Sequence, residues 1–371
     1  MDRTKPMRNS NIELYRIVLM LIIIAHHYVV NSGIMDSITK QNALNYKSVF
    51  SSVFGWGGKT AIDCFVLITG YFVCKSSIKV MQWVKLLCEI EFYNIVIFII
   101  LYIAGIQPFS VKAAIKCIIP FYTLGTEFVS SYLVFFWFIP FINLLLKQLD
   151  KNNHLRLILL CFISDSVFQT VIRVSDAFTY VGLFMYVYLI GAYIRRYRDG
   201  DYKKTNFEES LFVTGSGKWA LGMLLISWIS IICGLIVFKF TGYKIIYMFT
   251  GQSNRILAIA TAVCSFVFFV KINIKQSKLI NTVAKSVFGV LMIHANSLTM
   301  IDFVWQKLFK SQWAFENLGS VFIVHAFVSV IVIFSVCSVI DMIRIRFLEK
   351  PTFQYFDKRS ANLVSTSDKI K

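Results

Sequence analysis

The sequence predicts an all-α integral membrane protein with about ten transmembrane helices and both termini in the cytoplasm. Three observations lead there. Hydrophobic residues fill 57% of the 371 positions and aromatic residues 16%, whereas soluble domains lie nearer about 45–50% apolar. Lipid is the solvent that accommodates such an excess. Apolar runs of the roughly 20 residues that a spanning helix needs recur along the chain. The formal charge of +18 is divided among short Lys/Arg clusters between those runs. That is the patterning of cytoplasmic loops, and it argues against a nucleic-acid partner.

The spans fall at about 12–32, 59–75, 83–105, 128–147, 155–172, 178–195, 217–239, 255–271, 285–306 and 318–343. The first lacks a small-residue cleavage site and is expected to remain as a helix. Arg3, Lys5 and Arg8 precede it; Lys75 and Lys79 follow the second, and Lys85 lies just inside the third. Lys147, Lys151 and Arg156 follow the fourth, Arg195, Arg196, Arg198, Lys203 and Lys204 the sixth. Lys271, Lys275 and Lys278 follow the eighth, and Arg344, Arg346 and Lys350 the tenth. An even number of spans puts all these clusters on one side, and the opposite loops carry fewer cations.

Residues 33–58 read as an outer loop in which Gly55-Trp56-Gly57-Gly58 forms a flexible aromatic turn. Residues 106–127, with Pro108 and Pro120, read as a connection holding a short amphipathic helix on the outer surface. Residues 350–371 read as a polar, disordered cytoplasmic tail, leaving 1–349 as the membrane domain. The eight cysteines form no C-x-x-C pair and read as small hydrophobes packed between helices.

Ionisable side chains inside a span are costly, so each one marks a candidate site. Arg16 and His27 lie eleven positions apart in the first span, close to three turns, so they share a face and stand about 16 Å apart along the axis. One reading makes Arg16 an inner anchor for an anionic group and His27 a general base. The other makes Arg16 a snorkelling cation and His27 an interfacial side chain satisfied by a carbonyl; the spacing admits both equally. His26 points elsewhere. Asp63, in the second span, needs a cationic or N–H partner. It either orients His27 or His26 or belongs to a structural ion pair. His294 follows a small-residue helix start at Ser286 and Gly289, where a close-packed interior site or a structural histidine fits. Arg255, near the outer end of the eighth span, is a substrate-contact candidate or, by the commoner pattern, an interface anchor. Glu89 reads as interior. No phosphate-binding glycine loop, zinc spacing or nucleophile elbow is present.

With these residues in view, the chain resembles the membrane-bound acyltransferase-3 family, which O-acetylates bacterial surface polysaccharides and related glycans. Arg16, ten intervening residues and His27 are similar to the signature of that family's first helix. Asp63-Cys64-Phe65 through Thr69-Gly70-Tyr71-Phe72 resembles its D-x-F-F-x-x-S-G-Y/F motif, with Cys64 and Thr69 as departures. Ser131-Tyr132 through Pro140 and Asn143 resembles a third stretch, with Glu127 where Trp is common. Ser286 through His294 resembles its S-F-G-V-Y-L-I-H stretch. The R-x-x-R pair that many members carry before the third span is absent, which leaves Lys75, Lys79 and Lys85 there.

The resemblance implies a multi-pass protein of the bacterial cytoplasmic membrane. It implies acetyl-CoA as donor substrate rather than a tightly bound cofactor, and no metal. A sugar hydroxyl of a glycan or lipid-linked intermediate would be the acceptor, with polysaccharide-assembly proteins as partners. His27 and Asp63 would serve catalysis, and Arg16, Lys79 and Lys85 the donor. His26, His294, Arg255 and Glu127 would be acceptor or second-site candidates. The competing reading is a transporter or flippase of a polar glycan, for which internal repeats with paired broken helices would be expected; none is visible.

Overall fold

The computed structural model describes residues 8–42, 44–119, 121, 128–174, 178–198 and 203–355. The described residues are helical with no strand, and the fold is that of a multi-pass membrane protein. Helix α1 (Ser10–Val30) begins where Asn9 turns extended and its side chain accepts the backbone N–H of Asn11. The expected outer loop is instead two short helices, α2 (Ile34–Gln41) and α3 (Tyr46–Phe54). Asn45 caps α3, and Ile34, Ile38, Ser48, Ser51 and Ser52 are buried, so this segment is packed rather than free. Helix α4 (Gly58–Val73) and α5 (Val80–Ile103) follow, then the expected short amphipathic helix, α6 (Val111–Ile118).

Helix α7 (Phe128–Gln148) contains Pro140. Helix α8 (Lys151–Cys161) runs on as a π-helical segment over Phe162–Ile172. Next come α9 (Tyr180–Tyr197), the single turn α10 (Asn206–Glu209), α11 (Ser216–Thr241) and α12 (Ile256–Lys271). The chain then breaks into α13 (Lys278–Val283), α14 (Val287–His294), α15 (Leu298–Asp302) and α16 (Ser311–Asn317) before the long α17 (Val321–Arg344).

Each of the ten expected spans is largely helical, but not all have spanning length. Six described helices are long and apolar enough to cross a bilayer, seven if the bent pair Lys278–His294 and Leu298–Asn317 counts as one. That pair corrects the expected continuous span over 285–306: its two arms meet at 94°. Ser297 causes the restart, accepting the Met300 N–H as the cap of α15, while the Asn296 amide donates to Asn94. Helix continues through Tyr355, and the remainder of the expected tail, 356–371, lies outside the described residues.

The shorter or more polar helices α4, α9 and α12 are the interior, together with α1. Twelve of the 18 residues of α9 are buried, and α4 packs on α9, α12 and α1. Gly70 and Gly191 make the α4–α9 crossing close: a Cβ at Gly70 would strike the Tyr188 backbone carbonyl, and one at Gly191 that of Leu67. Association in lipid relies on such close packing because apolar burial offers no gain there. Asn143 fastens α7 to this pair, donating to Val73 O (3.1 Å) and accepting the Tyr188 hydroxyl (2.7 Å). The outer helices present exposed Ile99, Ile100 and Ile103 on α5, Phe141 and Leu144 on α7, and Val324, Val328 and Ile331 on α17. Exposed apolar faces of that extent belong against lipid.

Candidate active site

Helix α1 carries His27 on its last turn, and α14 ends at His294 beside it. The His27 Nδ1 and His294 Nε2 atoms are 3.1 Å apart. His294 is fully buried, and its Nδ1 lies 2.6 Å from Val290 O. These contacts assign the tautomers by the hydrogen-bond network. A carbonyl oxygen only accepts, so His294 Nδ1 must carry the proton that it donates. His294 Nε2 is then the acceptor, and His27 Nδ1–H the donor. The neutral His27 ring is left with its lone pair on Nε2, the position a general base uses.

His26 is held apart from this pair. Its Nδ1 donates to Gly55 O (2.6 Å), and its ring packs on Gly58, where a Cβ would overlap it. The Gly55–Gly58 turn therefore holds the second histidine. Asp63 is fully buried, but it contacts neither imidazole. The hydrogen-bond partner of His27 is instead His294, and that of His26 is Gly55 O. Its electrostatic neighbours are the Lys59 ammonium one turn earlier and the Ser253 hydroxyl. Lys59 escaped the sequence reading. Its Nζ donates to the Tyr180 hydroxyl (2.7 Å) and lies over that ring. The four-residue spacing from Lys59 to Asp63 was the available signal. Arg255 occupies the N-cap position of α12, and its guanidinium donates to Gln169 O. Glu127 lies outside the described residues.

At the other end of α1, Arg16 pairs with Glu13 (3.0 Å), which also receives Arg8 (3.3 Å). On α7, the Tyr132 hydroxyl is turned toward α4. That hydroxyl lies 2.8 Å from Thr69 Oγ1, and Thr69 in turn donates to Phe65 O. Thr69 therefore accepts from Tyr132, which joins the second and third resembling stretches. Both line a cavity of about 390 Å³ walled by Ile68, Phe72, Val73 and Phe136, with Ser76 and Gln82 also on its lining. Lys79, exposed, caps α5 next to Gln82. Lys85 instead stacks over the Phe353 ring. Arg195 and Arg198, named from the sequence only as topology signals, both donate to the Tyr71 hydroxyl (3.3 Å each) and lie over its ring, next to Phe72 of the cavity wall. No group of three or more metal-ligating side chains converges among the described residues.

The half-buried His27 and the buried His294 thus pair at one end of the helical bundle, and the cavity at Thr69 and Tyr132 lies toward the other. A family model described as an acyltransferase domain, that of the acyltransferase-3 family, matches residues 9–342. The chain belongs to this family and is a membrane acyltransferase. No curated protein and no solved structure matches it.

Proposed function

We propose that the protein moves an acetyl group from cytoplasmic acetyl-CoA to a sugar hydroxyl of an extracytoplasmic glycan or lipid-linked intermediate. In this reading it sits in a bacterial cytoplasmic membrane with ten crossings and both termini inside. The observation that carries it is the His27–His294 hydrogen bond, which leaves His27 Nε2 basic. The cavity at Thr69 and Tyr132 suits the flexible arm of the donor, and Arg195, Arg198, Lys75 and Lys79 suit its phosphates. Lys85, engaged with Phe353, contributes less directly. Arg16 holds the donor at the inner level, and His27 meets the acceptor about 16 Å further along α1.

His27 Nε2 takes the proton of the acceptor hydroxyl as its oxygen attacks the thioester carbonyl. The carbon–sulfur bond then breaks, and the proton passes from Nε2 to the departing thiolate, so charge and atoms balance. His294 holds the His27 ring throughout and shares the transient positive charge. Lys59, on the first turn of α4, is the cation available to stabilise the developing oxyanion. The transport reading gains nothing: it expects paired broken helices, and a single sharply bent pair occurs among the described residues.

The test is His27→Ala in the producing cell at matched membrane levels, with O-acetyl content and glycan amount both read by NMR. Acetyl lost with glycan amount unchanged supports the proposal. Loss of the glycan itself favours transport, and no change in either removes His27 from the chemistry.

A further inference from the structure

At the end of the bundle where His27 lies, the π-helical turn Phe303–Leu308, Lys310 and α16 line a second, open cavity of about 390 Å³. Gln306, Lys310, Gln312, Trp313 and Glu316 line it. Its chemistry is two amides, one carboxylate, one ammonium and one indole, with opposite charges that balance. The site is built onto the turn that follows the His27 helix and onto α2. The Gln306 amide donates to Ser32 O, five residues past His27. Gly33 adopts φ +86°, and a Cβ there would collide with the Gln312 and Gln306 amides. Gln312 Nε2 donates to Ser37 Oγ (2.9 Å), which donates to Glu316 Oε1 (2.7 Å). From below, Lys47 donates to Phe315 O and lies over the buried Phe315 ring.

Two backbone features coincide with this cavity. Gln306 sits in the π-helical turn Phe303–Leu308, a geometry frequent at functional sites. Lys310 takes a left-handed conformation, φ +49°, uncommon for a residue with a side chain. Trp313 remains 54% exposed at the rim, although the helix beneath it is anchored through buried Ala314 and Phe315. An exposed ring beside planar amides and a carboxylate matches a saccharide: C–H faces lie on the indole while paired hydroxyls meet Gln312 and Glu316. A phosphate headgroup would meet Lys310 but also the Glu316 carboxylate, whose like charge opposes it.

We infer that this cavity is a glycan-docking subsite that holds sugar units of the acceptor chain away from the hydroxyl reacting at His27. The inference rests on the proposed glycan acceptor, and it makes the enzyme prefer a chain over a single sugar. It is tested by binding, without turnover. Full-length His27→Ala protein in nanodiscs is titrated with one-unit and six-unit fragments of the producing cell's surface glycan, prepared from cells carrying that same variant. The six-unit fragment is expected to bind more tightly by about tenfold or more, and Trp313→Ala or Glu316→Gln in this background to erase that advantage. Glu316→Gln keeps the shape of the helix, which guards against misfolding of the Trp313 variant. Equal binding of both fragments by the parent overturns the subsite, as does an advantage that survives both substitutions. Failure of the acyl-transfer reading would show separately, as unchanged glycan acetylation in His27→Ala cells.

Discussion

His27 and His294, 267 positions apart in sequence, meet through a 3.1 Å contact in which His27 donates from Nδ1. That direction follows from the Val290 carbonyl beyond His294, and it decides which nitrogen of His27 is basic. His294→Ala should therefore lower the transfer rate about a hundredfold through loss of ring orientation. His294→Gln, whose side-chain carbonyl accepts the same N–H, should recover part of it. Single-turnover rates with radiolabelled donor check both, and equal defects in the two variants would count against the orienting role.

The α4–α9 crossing gives a prediction independent of chemistry. Gly191→Ala puts a Cβ into the Leu67 carbonyl, an overpacking that costs about 1–3 kcal/mol. The variant should extract in lower yield and with an earlier unfolding midpoint in detergent. A midpoint equal to the parent's would mean that the helices separate freely here.

Arg344 is 7% exposed and binds Glu89 (2.7 Å), Asp341 (2.7 Å) and Glu349 (3.0 Å), while the Tyr93 hydroxyl donates to Asp341 (2.6 Å). One cation thus ties α5 to α17. Arg344→Met strands these carboxylates and should cost about 3–5 kcal/mol. Adding Glu89→Gln and Asp341→Asn should return part of that loss, because the buried charges go with it. Chemical unfolding of the three proteins measures the difference.

The connection between α9 and α11 carries a pH dependence. Partial burial pushes Glu208 upward, but the Thr205 N–H, the Tyr193 hydroxyl and Lys151 overcome it and hold its pKa at about 2. The ordinary value is 4.5. A depressed carboxyl contributes stability in full above its unfolded value and loses it as pH falls through the folded one. Docking of this segment should thus weaken from roughly pH 4.5 down to about 2. Limited acid proteolysis should cut 203–214 progressively over that range, and Glu208→Gln should be cut equally throughout it.

The helix positions were legible because ordered backbone crosses lipid as helix or closed barrel, and the apolar runs here have helical length. The break after His294 was not, since Ala295-Asn296-Ser297 contains neither Gly nor Pro; its signal was the capping serine alone. At the site, His27 and His294 stood out as polar groups in apolar runs, yet their pairing arises from tertiary contact between α1 and α14. Asp63 was legible as a buried charge, but its neighbour was sought on another helix while Lys59 lay one turn away. The Arg195–Tyr71–Arg198 cluster was read only as topology, because nothing local to either segment announces that they meet.

The central claim is that His27 is the base in acyl transfer. Its most direct test is transfer of radiolabelled acetyl from acetyl-CoA to alkali-labile ester on glycan, in vesicles carrying wild-type or His27→Ala protein at equal amounts. Label is expected in the wild type and a rate lower by about 10²–10⁴-fold in the variant, with its size-exclusion profile unchanged. A variant that transfers acetyl at the wild-type rate would contradict it.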